Sequence, residues 1–154
     1  NLAGKVRWMV EQTIRLTELE QFGNYLTLLF EVDMLFGNED RHLNNIAVLR
    51  RGEKFDYCPI FDFGAGLLSN VRDYPMDIEP RSHMKLLRAQ PLNTTFTRQV
   101  RAARSLYGPQ LQWTFTVAEI TAALEEPLKF YAERDRAYIA NRIKTCIHWQ
   151  AAKL

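Results

Sequence analysis

Three polar residues in the first half of the chain have the types and spacing that a metal–phosphate centre requires. Asp40 is followed five positions later by Asn45, and Asp62 opens an Asp-Phe-Gly triplet. In such a set one carboxylate can accept a proton, while an amide oxygen and a second carboxylate hold Mg²⁺. Phosphoryl transfer needs these parts because its catalysis consists mostly of positioning and charge neutralisation. These residues therefore predict a site for phosphate chemistry.

A predicted hairpin over residues 46–61 separates Asn45 from Asp62. Its two short β-type runs are joined by a polar turn that contains Gly52. A hairpin of this size returns the chain to its starting point, so its two ends lie close together. We therefore expect the hairpin to bring Asn45 and Asp62 side by side.

The apolar stretch 25–36 leads directly into the Asp40 loop. Its length and its many leucines favour a helix over a buried strand. Gly37 and Asn38 end this helix and permit a sharp turn. Asp33 lies within the apolar stretch, and a buried carboxylate needs partners. We expect it to bond amides of the nearby loop rather than to take part in catalysis.

The rest of the chain is predicted to be helical. Apolar residues at helical spacing indicate a first helix, ended by Gly23-Asn24, and Thr116 and Glu119 have the spacing of a capping box. The predicted fold class is mostly α with a small β-hairpin, in a single domain 1–154. The helices outside the 25–36 stretch are predicted over 5–20, 84–88, 96–107, 116–125 and 127–151, the C-terminal group spanning 96–152.

Composition excludes several classes of protein. The formal net charge of +2 is too small to predict direct nucleic-acid binding. No apolar run reaches the roughly 20 residues needed to cross a bilayer, and residues 1–4 carry no secretory signal pattern. Cys58 and Cys146 have no metal-ligand spacing and fit free thiols in a reducing compartment. We expect a cytoplasmic protein that does not bind membranes.

The stretch 38–66 resembles the catalytic core of the protein-kinase-like superfamily. In protein kinases a His-Arg-Asp loop is followed by four residues and an asparagine, and later by Asp-Phe-Gly. Asp40 and Asn45 keep that spacing, and the triplet 62–64 is literal. The chain is therefore similar to a kinase at each of the three positions that carry the chemistry.

The residues next to Asp40 indicate which branch of the superfamily is most similar. Asn38 and Glu39 stand where a conventional protein kinase has His and Arg. The order Asp-Arg-His at 40–42, followed by Asn45, resembles the D-R-H-x-x-N of phosphatidylinositol kinases and of bacterial HipA-like kinases. With the short hairpin and P-I-F-D-F-G-A-G-L-L-S behind it, the setting is most similar to the HipA-like group.

The resemblance implies a role for each site residue. Asp40 would orient the acceptor hydroxyl and take its proton, and Asn45 and Asp62 would hold Mg²⁺ against the phosphates of ATP. His42 enters the catalytic set beside Asp40, where we expect it to fix the loop by hydrogen bonding rather than to act as a ligand or base. Arg41 either pairs with an acidic group, contacts the segment beyond Asp62, or stays in solvent.

The resemblance also implies a two-lobed architecture in which this chain is the C-lobe. It would hold a catalytic loop at 37–45 and a DFG and activation-type segment at 62–91. An N-lobe supplies a phosphate loop and a strand lysine, but the 39 residues before Asp40 predict helix and hold neither. We expect the N-lobe to be absent from this chain and to act in cis or in trans, and the isolated chain to be inactive.

Other functions remain open. A protein substrate and an antitoxin-type partner follow if the HipA-like resemblance extends to biology, in a bacterial toxin–antitoxin or effector system. A lipid or small-molecule kinase would use the same three residues. A non-catalytic binding or regulatory domain derived from a kinase would not need the N-lobe. A metal nuclease built on Asp40, His42 and Asp62 would leave the Asp-Phe-Gly triplet and the Asn45 spacing unexplained.

Overall fold

The computed structural model describes residues 1–154, which form six α-helices and one two-stranded antiparallel sheet. The mostly helical fold with one small hairpin is therefore confirmed. No helix combines the length and the apolar character that a membrane span requires. The elements are α1 (Leu2–Thr17), α2 (Phe22–Phe36), β1 (Val48–Arg51), β2 (Lys54–Tyr57), α3 (Pro80–Met84), α4 (Phe96–Tyr107), α5 (Val117–Leu128) and α6 (Glu133–Ala151).

Helix α2 is the centre of the core. It packs against α1, α4 and α6, and Leu26, Phe30 and Met34 are fully buried. A helix that is apolar on nearly every side is stable only when it is surrounded in this way. The 25–36 prediction is thus confirmed, and the helix begins three residues earlier than expected.

The prediction that Gly23-Asn24 ends the first helix is wrong, because α2 already begins at Phe22. Helix α1 ends at Thr17, with Glu18 in the left-handed conformation, and Gly23 lies inside α2. A Cβ atom at position 23 would lie 2.4 Å from the ring of Tyr107 in α4. Glycine stands here because α4 packs directly on the α2 backbone, a close approach that outweighs its low helix propensity.

A buried carboxylate in α2, Glu31, joins this helix to the C-terminal half. Its side chain is fully buried and accepts hydrogen bonds from Arg104 Nε at 2.5 Å and from the backbone N–H of Leu111 at 2.6 Å. The backbone N–H of Gln110 donates to it as well. This cluster holds the chain that leaves α4 against the central helix.

The hairpin is shorter than the predicted 46–61. Val48 pairs with Tyr57 at its open end, and Arg51 pairs with Lys54 next to the turn. Gly52 has a φ of +65° in that two-residue turn, which suits glycine at the first turn position. Residues 58–61 are irregular, and they carry the chain from the second strand back to the Asp40 loop.

Two of the C-terminal predictions are wrong in position. The helix expected over 84–88 lies earlier in the chain, as α3 (Pro80–Met84). Proline suits a first helical turn because no N–H is needed there. The Glu79 side chain caps the helix by accepting from the backbone N–H of Ser82. The last helix begins at Glu133 instead of 127, because α5 continues through Pro127 to Leu128.

The other two C-terminal predictions are correct. Helix α4 covers 96–107 as expected, and the capping box at the start of α5 is present, with Thr116 and Glu119 bonded to each other's backbone. Both signals are local, so they do not depend on how the chain packs.

Both cysteines are free thiols, as expected. Cys146 is buried in the core between α6 and α2, whereas Cys58 is half-buried after the second strand. Burial raises the pKa of the Cys146 thiol to about 11, so this thiol stays protonated and unreactive at neutral pH.

Candidate active site

A sharp turn at the end of α2 starts the Asp40 loop. Gly37 takes the left-handed conformation at the helix end, and the backbone N–H of Asn38 donates to the carbonyl of Asp33 at 2.8 Å. A short 3₁₀ turn at Leu43–Asn45 closes the loop. The loop 38–45 therefore begins on the rigid end of the central helix, which is where a site gains precision.

The guanidinium of Arg41 holds this loop together from inside. The side chain is fully buried, and its Nε and Nη2 donate to the two carboxylate oxygens of Asp33, each at 2.9 Å. Its Nη1 donates to the carbonyls of Asn45 at 2.9 Å and Phe61 at 2.7 Å. Arg41 thus joins the central helix, the loop and the chain that approaches Asp62. Of the alternatives left open for it, two are observed: Arg41 pairs with an acidic group, and it also contacts Phe63 in the segment beyond Asp62.

Asp33 is the acidic partner and has a structural role. In addition to the Arg41 contacts, it accepts from Asn38 Nδ2 at 2.8 Å. The expected bond to a loop amide is present through the Asn38 side chain, and the Arg41 guanidinium is a second partner that was not expected. Burial raises the pKa of the Asp33 carboxyl, and the hydrogen bonds from Arg41 and Asn38 act in the opposite direction. The carboxylate is enclosed and does not reach the surface where Asp40 lies.

The same network sets the direction of Asp62. This residue has a φ of +61°, a left-handed conformation that aspartate tolerates better than most residues. The carbonyl before it, on Phe61, is held by Arg41, and its own carbonyl accepts from Asn38 Nδ2 at 3.3 Å. The Arg41 guanidinium also lies 5.2 Å from the centre of the Phe63 ring. Because the backbone is held on both sides of Asp62, its carboxylate is directed toward the loop.

Asn45 and Asp62 meet as the hairpin predicts. Asn45 Nδ2 donates to Asp62 Oδ2 at 2.8 Å and to the carbonyl of Asp40 at 3.0 Å. Both amide hydrogens are therefore used, and Asn45 Oδ1 is left without a hydrogen bond. Asp62 Oδ1 also accepts none. Two hard oxygen atoms thus remain on adjacent side chains, which fits the preference of Mg²⁺ for oxygen ligands.

Asp40, whose backbone carbonyl is in contact with Asn45, presents an open carboxylate. Its side chain is 59% exposed and accepts no hydrogen bond from the protein, the nearest basic atom being His42 Nε2 at 3.9 Å from Oδ1. Its backbone is held, because its carbonyl accepts from the N–H of His42 at 2.8 Å and from Asn45. A held backbone and a free carboxylate suit a group that must receive a proton from a bound molecule.

The position of His42 differs from the expectation. Its ring is about half exposed and makes no hydrogen bond. The loop-fixing role expected for this histidine belongs to Arg41, the residue before it. Asn44, the other asparagine of the loop that could have been the metal ligand, is exposed and its side chain makes no hydrogen bond.

Glu39 is a residue that the sequence reasoning missed. Its Oε1 accepts from the backbone N–H of Arg88 at 2.9 Å, and its Oε2 accepts from the hydroxyl of Tyr74. Burial and the neighbouring Glu39 carboxylate raise the pKa of the Tyr74 hydroxyl. The residue directly before Asp40 therefore anchors the segment 62–91. In the sequence, only the acidic side chain of Glu39 next to Asp40 could have indicated this role.

Comparison with known proteins identifies no relative. No family model matches the chain, and no curated protein and no solved structure matches it. The resemblance of residues 38–66 to kinases therefore remains a prediction from the sequence.

We expect the chain without nucleotide to bind Mg²⁺ only at millimolar concentrations. One carboxylate and one amide oxygen leave most of the six positions around the ion to water and phosphate, and no group of three or more His, Cys, Asp or Glu side chains is placed to hold a metal. Isothermal titration calorimetry with MgCl₂ measures this, with the Asp62→Ala variant as the control. Micromolar binding without nucleotide would show that phosphate is not needed to complete the site.

Proposed function

We propose that this chain is the C-lobe of a HipA-like protein serine/threonine kinase, which transfers the γ-phosphoryl group of ATP when an N-lobe is present. The observation that carries this proposal is the contact of 2.8 Å between Asn45 and Asp62. It leaves one free oxygen on each side chain, and Asn45 also contacts the backbone carbonyl of Asp40, whose carboxylate is open to solvent. These are the parts that a phosphoryl-transfer site needs from its C-lobe.

In this proposal Asp40 binds the acceptor hydroxyl through its exposed carboxylate, orients it and takes its proton. The free oxygens of Asn45 and Asp62 would hold Mg²⁺. When bound there with ATP, the metal supplies neutralisation of the charge on the phosphates. Arg41 touches no substrate; it is a positioning residue, because it holds the backbone on either side of the hairpin. Glu39 and Tyr74 are positioning residues for the segment after Asp62.

The triphosphate itself requires groups that residues 1–39 do not contain. These residues form α1, α2 and the turns next to them, with no glycine-rich phosphate loop and no lysine on a strand. We propose that these groups come from an N-lobe, in cis or in trans, and that the chain alone binds ATP weakly. The protein acceptor, the antitoxin-type partner and the cytoplasmic location are parts of the same proposal.

A non-catalytic binding or regulatory domain is the second candidate. One observation favours it: the strand lysine and the phosphate loop are missing from the residues that form α1 and α2. In that case the Asn45–Asp62 contact would serve only to join the hairpin to the loop. The two candidates differ in whether Asp40 matters to any reaction.

The proposal is tested by phosphoryl transfer from γ-labelled ATP. The polypeptide that joins residues 1–154 to its N-lobe should label itself or a protein acceptor, whereas residues 1–154 alone should not. Positioning of the reacting groups is worth roughly 7–11 kcal/mol of barrier, and half of the site cannot supply it. Robust transfer by the 154-residue chain would contradict the requirement for an N-lobe. No transfer by either form would favour the regulatory domain.

A further inference from the structure

A groove of about 1000 Å³ separates the segment that follows Asp62 from helix α6. One wall is formed by residues between Phe63 and Asp77, and the other by residues between Tyr131 and Ile143. The groove does not include Asp40 or Asn45. Its apolar lining residues include Phe63, Leu67, Leu68, Val71, Ile139 and Ile143.

Arg142 lies in the wall of this groove with an incomplete set of partners. The residue is only 3% exposed. Its Nη2 donates to the carbonyl of Tyr74 at 2.6 Å, its Nη1 contacts the thioether sulfur of Met76, and its Nε has no hydrogen-bond partner. A thioether is a weak acceptor. Of the five N–H groups of this guanidinium, only one donates to a strong acceptor, the carbonyl of Tyr74.

The positive charge of Arg142 also has no counter-ion. No ion pair of the molecule involves this residue. Its situation is the opposite of that of Arg41, which is equally buried but meets the Asp33 carboxylate through two hydrogen bonds. A buried charge without a partner is unfavourable, so pairing with an anion would relieve this cost.

The remaining charges of the groove do not supply that anion. Arg134 and Asp135 lie next to each other, with Arg134 Nε 3.8 Å from Asp135 Oδ1, and both side chains are more than half exposed. Asp77 is exposed at the rim, where water and salt screen its charge. The buried wall is therefore apolar with one cation in it.

We propose that this groove binds an amphipathic organic anion. Its carboxylate or phosphate group pairs with the Arg142 guanidinium, whose planar fork suits a two-oxygen partner. Its apolar body lies against Leu67 and Ile139 and fills the space between the two walls. The Met76 side chain is flexible enough to move its sulfur aside when the anion enters. The groove does not include Asp40, Asn45 or Asp62, the three residues to which the proposed phosphoryl transfer is assigned.

Calorimetry with the 154-residue chain tests the proposal with four probes of matched design. Octanoate and octyl phosphate carry both the apolar body and the charge, 1-octanol carries only the body, and inorganic phosphate carries only the charge. We expect octanoate or octyl phosphate to bind at least about tenfold more tightly than either partial probe. The better of the two identifies the head group. Equal binding of 1-octanol and octanoate would overturn the role of Arg142.

Three variants locate the site. Arg142→Gln should weaken binding of the preferred probe at least about tenfold, and Arg101→Gln, an exposed charge change on α4, should leave it unchanged. Since Arg142 also holds Tyr74, Val71→Trp provides a test that does not touch this contact. Val71 is exposed and lines the groove, so a larger side chain there should block the probe while circular dichroism stays the same. Unchanged binding in Val71→Trp would place the probe elsewhere and contradict the proposal.

Discussion

Asp62→Asn should lower phosphoryl transfer by a factor on the order of 10²–10³ in the two-lobed kinase that we propose. The amide keeps the size of the side chain and can still accept from Asn45, so the loop keeps its shape. It removes the charge that would hold Mg²⁺ beside the phosphates. Asp40→Asn should cost about 10²–10⁴, the usual contribution of a positioned acid or base. Initial rates with labelled ATP measure both losses.

Asn44→Ala is the matched control for these variants. Asn44 lies in the same loop and next to Asn45, but its side chain is exposed and makes no hydrogen bond. It should keep most of the activity, whereas Asn45→Ala should lose transfer as Asp62→Asn does. Full activity in Asp62→Asn and in Asp62→Ala would end the kinase proposal, and equal losses at Asn44 and Asn45 would show that only the loop shape matters.

Arg41→Met should lower the free energy of unfolding by about 3–5 kcal/mol. The substitution leaves the Asp33 carboxylate buried without its two charged hydrogen bonds, and it leaves the carbonyls of Asn45 and Phe61 without a donor. Asp33→Ala should be similarly destabilising, because it leaves the guanidinium unpaired. Shifts of the denaturant midpoint measure these losses when the slope of unfolding free energy against denaturant concentration is the same in both proteins.

Two further variants separate the buried pair from the surface site. The double variant Arg41→Met, Asp33→Leu should lose less than the sum of the two single changes, since replacing both partners of a buried pair with apolar residues is often nearly neutral. Asp40→Ala should change stability little, because its carboxylate is exposed and unpaired. If Asp40→Ala were as destabilising as Asp33→Ala, Asp40 would be structural and its catalytic assignment would be wrong.

The sequence by itself determined the parts of the site that depend on local order. The spacing of Asp40 and Asn45 places both in one loop, and a hairpin necessarily returns Asp62 to its start, as the 2.8 Å contact shows. The length and the many leucines of the apolar run before the loop favour a buried helix, and the capping box predicts a helix start at Thr116. Interactions over a few residues depend little on the rest of the fold, so a pattern is enough to predict them.

Tertiary structure alone decided which polar groups are buried and what they meet. The sequence left three environments open for Arg41. In the folded chain Arg41 is buried against Asp33, and residues 58–61 bring the Phe61 carbonyl to its Nη1. Glu39 meets Tyr74 across 35 positions of sequence, and Gly23 lies inside a helix because Tyr107 packs on it. A charged side chain looks the same in the sequence whether water or protein surrounds it. Its partners follow only from long-range packing, which no local pattern records.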